Sequence, residues 1–345
     1  MLADAEGDAR VERRSIGAGA LAVGAVGLGC MPMSWAYAPS RRRGDESLAA
    51  VHTALDLGCT LLDTADVYGP FTNELLLGRV LRERRAEAFV SAKVGLRAGE
   101  QHVVACGRPE YLRRACDASL RRLRTDVIDL YQLHRVDPEV PVEETWGAMA
   151  ELVGAGKVRA LGFCALGAGA GPGAGRRGDP AYGAVLRHLD RVQQVFPVSA
   201  VQAELSVWSQ EALRRLLPWC AARGVGFLAA MPLGSGFLTG TLTPGQGFEW
   251  EDVRARHPRF TAEAMATNQV LVAGLRRVAR RHGPRVTAAQ VALAWVLAQG
   301  PQVVPVPGAD RAGWAAENAQ AAEVRLTAAD LAEIAALPAA VGAWD

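Results

Sequence analysis

The sequence predicts an α/β fold in which eight parallel strands close into a (β/α)8 TIM barrel. Three observations predict it. Short apolar runs alternate with helix-like segments eight times along the chain, the pattern of repeated βα units around a parallel sheet. The 345 residues suit one such barrel with insertions, and half of them are hydrophobic, enough to fill a large core. The rival architecture, an open doubly wound sheet, calls for a GxGxxG turn after its first strand. Gly27-Leu28-Gly29-Cys30-Met31-Pro32 does not supply one.

Taken in order, residues 1–13 are small and charged and read as a disordered tail, and residues 14–345 as a single barrel domain. The first strand is 27–31, followed by a loop carrying Trp35, Tyr37 and Arg41-Arg42-Arg43. The helix 47–57 places Leu48, Val51 and Leu55 on one face. The second strand is 60–63, and the helix 73–84 turns Leu75, Leu76, Val80 and Leu81 inward. The third strand ends at Lys93, and the helix 109–123 opens on Pro109, where a missing N–H does no harm. The fourth strand ends near His134, and Gly154 and Gly156 stop the helix 142–155. Strand 158–163 and helix 182–191 follow, then strand 200–205 with helix 210–223, and strand 225–229. Helices 265–282 and 287–299, the second capped by Thr287, lead to the last strand at 303–306. Two extra helices, 312–322 and 327–336, close the chain.

The charge balance excludes some partners. With 38 basic and 36 acidic residues the net charge is +2, which gives no footprint for nucleic acid or an anionic membrane. The six cysteines form no CxxC pair, and no Cys/His cluster has metal-ligand spacing. They read as reduced, buried thiols of a cytoplasmic protein with no metal site. Arg13-Arg14 before a Gly/Ala-rich run ending at Cys30 has the look of a twin-arginine signal. A β-hairpin plugging the barrel is the better reading, because cleavage before Cys30 would remove most of the first strand.

The chemistry lies at strand ends. Leu61-Leu62-Asp63-Thr64-Ala65-Asp66-Val67-Tyr68-Gly69 runs from a buried strand through a carboxylate to a loop tyrosine. The next two strands end on Lys93 and His134. The carboxyl edge of a parallel barrel is where reactive groups collect. A tyrosine is a weak acid until a cation beside it favours the phenolate. Singly, Asp63 could cap a helix, Tyr68 could be a loop aromatic, Lys93 solvated and His134 structural. Four such residues at successive strand ends point to one site.

Asp63, Tyr68, Lys93 and His134 in this order resemble the catalytic tetrad of the aldo-keto reductases. Flanking text resembles the same family, including Gly27-Leu28-Gly29-Cys30-Met31-Pro32, Gly156-Lys157-Val158-Arg159, Pro232-Leu233-Gly234-Ser235-Gly236-Phe237-Leu238, Pro258-Arg259-Phe260 and Glu317-Asn318. The resemblance spans residues 14–338. It implies reversible reduction of an aldehyde or ketone with NADPH, NADH being possible, on a small carbonyl substrate. Tyr68 would be the general acid, with Lys93 lowering its pKa, Asp63 holding Lys93, and His134 orienting the carbonyl. It further implies a cofactor wall of Cys164, Gln202, Ala230, Leu233, Gly234, Ser235, Gly236, Leu238, Gly308, Arg311, Glu317 and Asn318. In that wall Gln202 would hold the carboxamide, Arg311 the 2′-phosphate, and Glu317 and Asn318 the adenine. The loop 234–251 would cover the pyrophosphate, and residues 33–43 and 69–72 would shape the substrate pocket.

The wall departs from the family pattern. Cys164 and Ala165 stand where serine and a polar residue are usual, and Ala230-Met231 where Tyr-Ser precedes Pro-Leu-Gly. A methyl group cannot replace a stacking ring. Either Trp208 or Trp35 supplies that surface or turnover is weak. A cofactor-binding regulatory barrel, or non-redox acid-base chemistry on the same scaffold, is the alternative function. The insert 167–178 is low-complexity and reads as flexible.

Overall fold

The computed structural model describes residues 12–17, 21–98, 103–166 and 182–342. The insert 167–178 and most of the expected tail lie outside the described residues. Arg13, assigned to the tail by the sequence, opens a strand instead. That strand, β1 (Arg13–Ile16), pairs antiparallel with β2 (Leu21–Gly24).

Eight parallel strands follow in spatial order: β3 (Leu28–Gly29), β4 (Leu61–Ala65), β5 (Phe89–Val94), β8 (Ile128–Leu133), β9 (Val158–Cys164), β10 (Val198–Glu204), β11 (Gly226–Ala230) and β12 (Val303–Val306). β6 (Leu96–Ala98) and β7 (Val103–Ala105) form a separate small hairpin after β5, which the sequence reading missed. The barrel closes between β3 and β12. Gly29 bridges Gly308, and the Gly27 N–H donates to the Pro305 carbonyl at 2.9 Å. A Cβ on Gly29 would lie 3.1 Å from the Val306 oxygen, so glycine leaves room for the two strands to meet there.

The helices that cover the barrel are α1 (Gly44–Asp56), α2 (Thr72–Arg84), α3 (Pro109–Leu123), α4 (Val142–Gly154), α5 (Gly183–Val195), α6 (Glu211–Ala221), α7 (Ala262–His282), α8 (Ala288–Leu297), α9 (Ala312–Gln320) and α10 (Ala328–Ala335). They bury the outer strand faces, which is why β4, β5 and β8 are buried along their whole length. Among the described residues no helix is long and apolar enough to cross a membrane.

The barrel's lower end is filled by one apolar layer. Leu61, Phe89, Leu130, Ala160, Ala200, Leu228 and Val304, each from a different strand, meet Ile16 and Val23 of the hairpin. A Cβ on Gly226 would lie 2.1 Å from Ile16 Cγ2, so that strand needs glycine to admit the plug. The Arg14 guanidinium donates to the carbonyls of Gly300 at 2.8 Å, Val303 at 2.5 Å and Leu297 at 3.1 Å, the last in the final turn of α8. Both arginines of the twin-arginine pattern lie in the first strand of this hairpin.

Two sequence readings shift. The first strand is shorter than 27–31, because Met31–Met33 turn into a 3-10 helix at Pro32. Leu75, expected to face inward, is 52% exposed, and Leu77 is buried in its place. Polar anchoring sets that rotation. Asn73 Nδ2 donates to the Cys30 carbonyl at 2.8 Å and to Ser34 Oγ at 2.7 Å, and Glu74 takes Arg122 Nε at 2.6 Å. Both side chains are fully buried, so α2 turns Asn73 and Glu74 to the core and Leu75 to water.

Candidate active site

Strand β4 delivers Asp63 to the upper edge of the barrel, and the chain then folds into a tight turn. The Tyr68 N–H donates to the Ala65 carbonyl at 3.2 Å and the Phe71 N–H to the Asp66 carbonyl at 2.9 Å. Gly69 has φ +65, and a Cβ there would sit 2.3 Å from Thr72 Oγ1 and 2.8 Å from the Ser34 oxygen. Only glycine suits both demands. The turn brings Tyr68 back over the barrel, 5% exposed.

The Asp63 carboxylate collects four donors. Lys93 Nζ lies 2.5 Å and Gln202 Nε2 3.1 Å from Oδ2, while Ser91 Oγ lies 2.9 Å and Gln132 Nε2 3.1 Å from Oδ1. Gln132 Nε2 also donates to Ser91 Oγ at 2.7 Å. Four strands contribute, since β5 carries Ser91 and Lys93, β8 Gln132 and β10 Gln202. Lys93, 1% exposed, donates in turn to the Thr64 carbonyl at 3.3 Å and the Tyr68 phenol oxygen at 3.4 Å. The His134 ring stands edge-on to the Tyr68 ring, with centroids 6.0 Å apart. The four residues singled out by sequence therefore meet.

Burial dominates the acidities. It pushes the Tyr68 phenol up to about 12, with Lys93 pulling it down and Asp63 raising it further. The expected depression by Lys93 is present but outweighed, so the phenol keeps its proton at neutral pH. Burial alone would lower the Lys93 ammonium, yet the Asp63 carboxylate, by its charge and its hydrogen bond, helps raise it on balance. Burial, then Lys93 and Arg135, hold His134 well below the usual histidine value. The site thus presents a protonated phenol, a cation tied to a carboxylate, and a neutral imidazole.

A cavity of about 220 Å3 opens onto this cluster. Asp63, Tyr68, Gln202, Ala230, Leu233, Ser235 and Gly308 line it, along with Tyr37. Gly234, Gly236 and Leu238, expected in the cofactor wall, do not line it. Gly234 and Gly236 take positive φ, Leu238 is fully buried, and a Cβ on Gly234 would lie 2.5 Å from the Trp208 ring. Neither Trp208 nor Trp35 lines the cavity. Trp208 packs on Phe237 with centroids 4.4 Å apart, and Trp35 on Tyr68 at 5.4 Å. The aromatic that lines it beside Tyr68 is Tyr37, from the loop expected to shape the pocket but not one of the two rings expected here.

The other expected cofactor residues are more dispersed. Cys164 is 4% exposed, its thiol raised by burial, and lines a neighbouring groove of about 730 Å3. Ala165 uses its backbone, donating to the Gln202 carbonyl at 2.7 Å. Arg311 stacks on Trp314 at 5.0 Å and approaches Glu46 at 3.4 Å on the surface. Glu317 Oε1 accepts from Thr287 Oγ1 at 2.7 Å, so it braces the start of α8. Asn318 is buried beside it on α9.

Ser91, Gln132 and Asn73 went unnoticed in the sequence. A signal existed for two of them. Ser91 stands two residues before Lys93 and Gln132 two before His134, so strand alternation puts each pair on one face.

The Aldo/keto reductase family profile matches residues 25–339. A glycerol dehydrogenase from Gluconobacter oxydans is 28% identical, with a TM-score of 0.80 and coverage of 94% of either chain. An aldo-keto reductase from Bacillus halodurans, in its holo form, is 25% identical, with a TM-score of 0.73 over 96% of this chain and 98% of that one. One from Klebsiella pneumoniae, in complex with NADPH, is 25% identical, with a TM-score of 0.67 over 93% and 94%. The chain belongs to the aldo/keto reductase family, oxidoreductases that use nicotinamide cofactors on small carbonyl compounds.

Proposed function

We propose that this protein reversibly reduces an aldehyde or ketone to its alcohol, with NADPH as reductant and Tyr68 as general acid, on a single barrel domain spanning residues 14–345. The observation that carries the reading is the buried chain of Asp63, Lys93 and Tyr68. Its two links are 2.5 Å and 3.4 Å, and it ends at a cavity.

The residues present fit a nicotinamide. Gln202 spends its amide N–H on Asp63 but leaves Oε1 buried without a partner among the described residues. A carboxamide N–H would satisfy that oxygen. The cavity is smaller than the roughly 300–1,000 Å3 of most ligand sites, so it suits the reactive end of a dinucleotide. Ala230 and Leu233 would flank that ring, and Ser235 and Gly308 would meet the ribose and phosphates attached to it. Arg311 would release Glu46 to receive a 2′-phosphate, at little cost for an exposed pair.

When bound, the nicotinamide supplies the hydride. Tyr68 donates its proton to the carbonyl oxygen as that oxygen gains charge. Lys93 stabilises the phenolate left behind, and Asp63 fixes Lys93 through the ion pair. His134 is buried and held neutral, and its imidazole would orient the carbonyl oxygen by a hydrogen bond from a ring N–H. Closing the site to water strengthens each of these interactions.

The test is nicotinamide oxidation over a panel of aldehydes and ketones, with NADPH and NADH compared in the protein and in Arg311→Ala. Turnover with a 2′-phosphate advantage that the substitution removes supports the proposal. Tight NADPH binding without turnover on any carbonyl would instead identify a cofactor-binding barrel, the reading favoured by the missing ring at Ala230.

A further inference from the structure

Proton transfer by Tyr68 leaves one aromatic residue of its cavity without a role. Among the described residues, Tyr37 and Tyr68 are the two aromatics that line this cavity. The Tyr68 ring is already enclosed. Trp35 packs on it at 5.4 Å, His134 stands edge-on at 6.0 Å, and Lys93 Nζ lies 5.3 Å from its centroid. Ala230, on the same lining, offers only a methyl group. Tyr37 is the aromatic ring left to meet a bound molecule.

That residue is fixed from several sides. Its carbonyl accepts from Arg42 Nη2 at 2.8 Å. Its two neighbours are tied to the segment that follows β11. The Val253 N–H donates to the Ala36 carbonyl at 2.8 Å, and the Ala38 N–H to Asp252 Oδ2 at 3.2 Å. Arg254 Cζ lies over the Tyr37 ring, 4.8 Å from its centroid, and the ion pair with Asp252 at 2.7 Å holds that guanidinium there. The hydroxyl faces the side chain of Ser235, which lines the cavity too. Arg254 covers one face of the ring, which leaves the opposite face for the cavity. A ring fixed before a ligand arrives gives up little freedom when the ligand binds.

We propose that Tyr37 supplies the aromatic surface on which the nicotinamide packs, in place of the ring that Ala230 lacks. This rests on the reading of the cavity as a nicotinamide site. Nicotinamide is a flat aromatic ring, and its oxidised form carries a positive charge. The face of a phenol ring attracts both, through offset stacking and through its quadrupole.

The experiment measures binding of NADP+ and of 2′-phospho-ADP-ribose by calorimetry in the wild type, Tyr37→Leu, Tyr37→Met and Tyr37→Phe. The second compound keeps the adenosine, the phosphates and the terminal ribose but lacks the nicotinamide. Loss of the ring in Tyr37→Leu weakens NADP+ about two- to tenfold and leaves 2′-phospho-ADP-ribose unchanged. Tyr37→Phe keeps the ring and binds both compounds as the wild type does. Tyr37→Met repeats the ring-free test with a more adaptable side chain, should leucine disturb the fold. An equal loss for both compounds in a folded ring-free variant, or no loss for either, overturns the proposal. So does a Tyr37→Phe variant as weak toward NADP+ as Tyr37→Leu. A wild type that binds neither compound overturns the cofactor reading and this inference with it, whereas NADP+ binding indifferent to the Tyr37 ring defeats this inference alone.

Discussion

Asp66→Asn separates a carboxyl that stores a proton from the groups that move one. Asp66 is 2% exposed, and Glu74 fully buried, in the same part of the core. Among the described residues the guanidinium of Arg122 serves both, and it bonds Glu74 at 2.6 Å. Burial first, then the Glu74 carboxylate, raises the Asp66 carboxyl from 3.8 to about 8. At neutral pH it is protonated in the folded protein and ionised in the unfolded chain. The folded state then binds one more proton, so stability falls as pH rises between about 4 and about 8 and is level on either side. A span of about four pH units at 1.36 kcal/mol each amounts to something on the order of 5 kcal/mol. Asparagine cannot ionise and lacks this slope. Urea unfolding across that pH range should show the variant gaining on the wild type as pH rises, passing it before about pH 8. Parallel curves, or a variant less stable throughout by a constant amount, would refute the reasoning. Turnover should persist, since the Asp66 side chain bonds none of the four site residues.

Further predictions rest on the same contacts. Ser91→Ala strips one donor from Asp63 Oδ1 and one partner from Gln132, so it should cost about 1–3 kcal/mol in chemical denaturation. Adding Gln132→Leu should cost less than a second equal increment, because the two residues share one network. Gly69→Ala forces alanine to φ +65 with a Cβ 2.3 Å from Thr72 Oγ1. The left-handed backbone alone costs about 1–2 kcal/mol. The melting temperature and kcat/KM should therefore fall together, since that glycine sets where Tyr68 sits.

The barrel was legible because its signal is local. Apolar runs at regular spacing give strands, and strands in βα repeats admit few closures. The four site residues were legible because each ends or directly follows such a run. The rotation of α2 was hidden. Leu75 is as apolar as Leu77, and buried hydrogen bonds from Asn73 to the β3 loop, over 40 residues away in sequence for Cys30, decide which faces the core. The place of Tyr37 in the lining of the cavity beside Tyr68 was hidden too, since loop conformation has no periodicity to read. The acid strength of Tyr68 could not be settled from sequence, because burial and Lys93 act in opposite directions and only the folded site fixes their balance.

The most direct measurement is the steady-state rate of aldehyde reduction by Tyr68→Phe, with NADPH affinity measured alongside by fluorescence. Loss of one phenol proton should lower kcat/KM by about 10²–10⁴ while the dissociation constant for NADPH stays the same. Reduction at the wild-type rate by the phenylalanine variant would contradict the account.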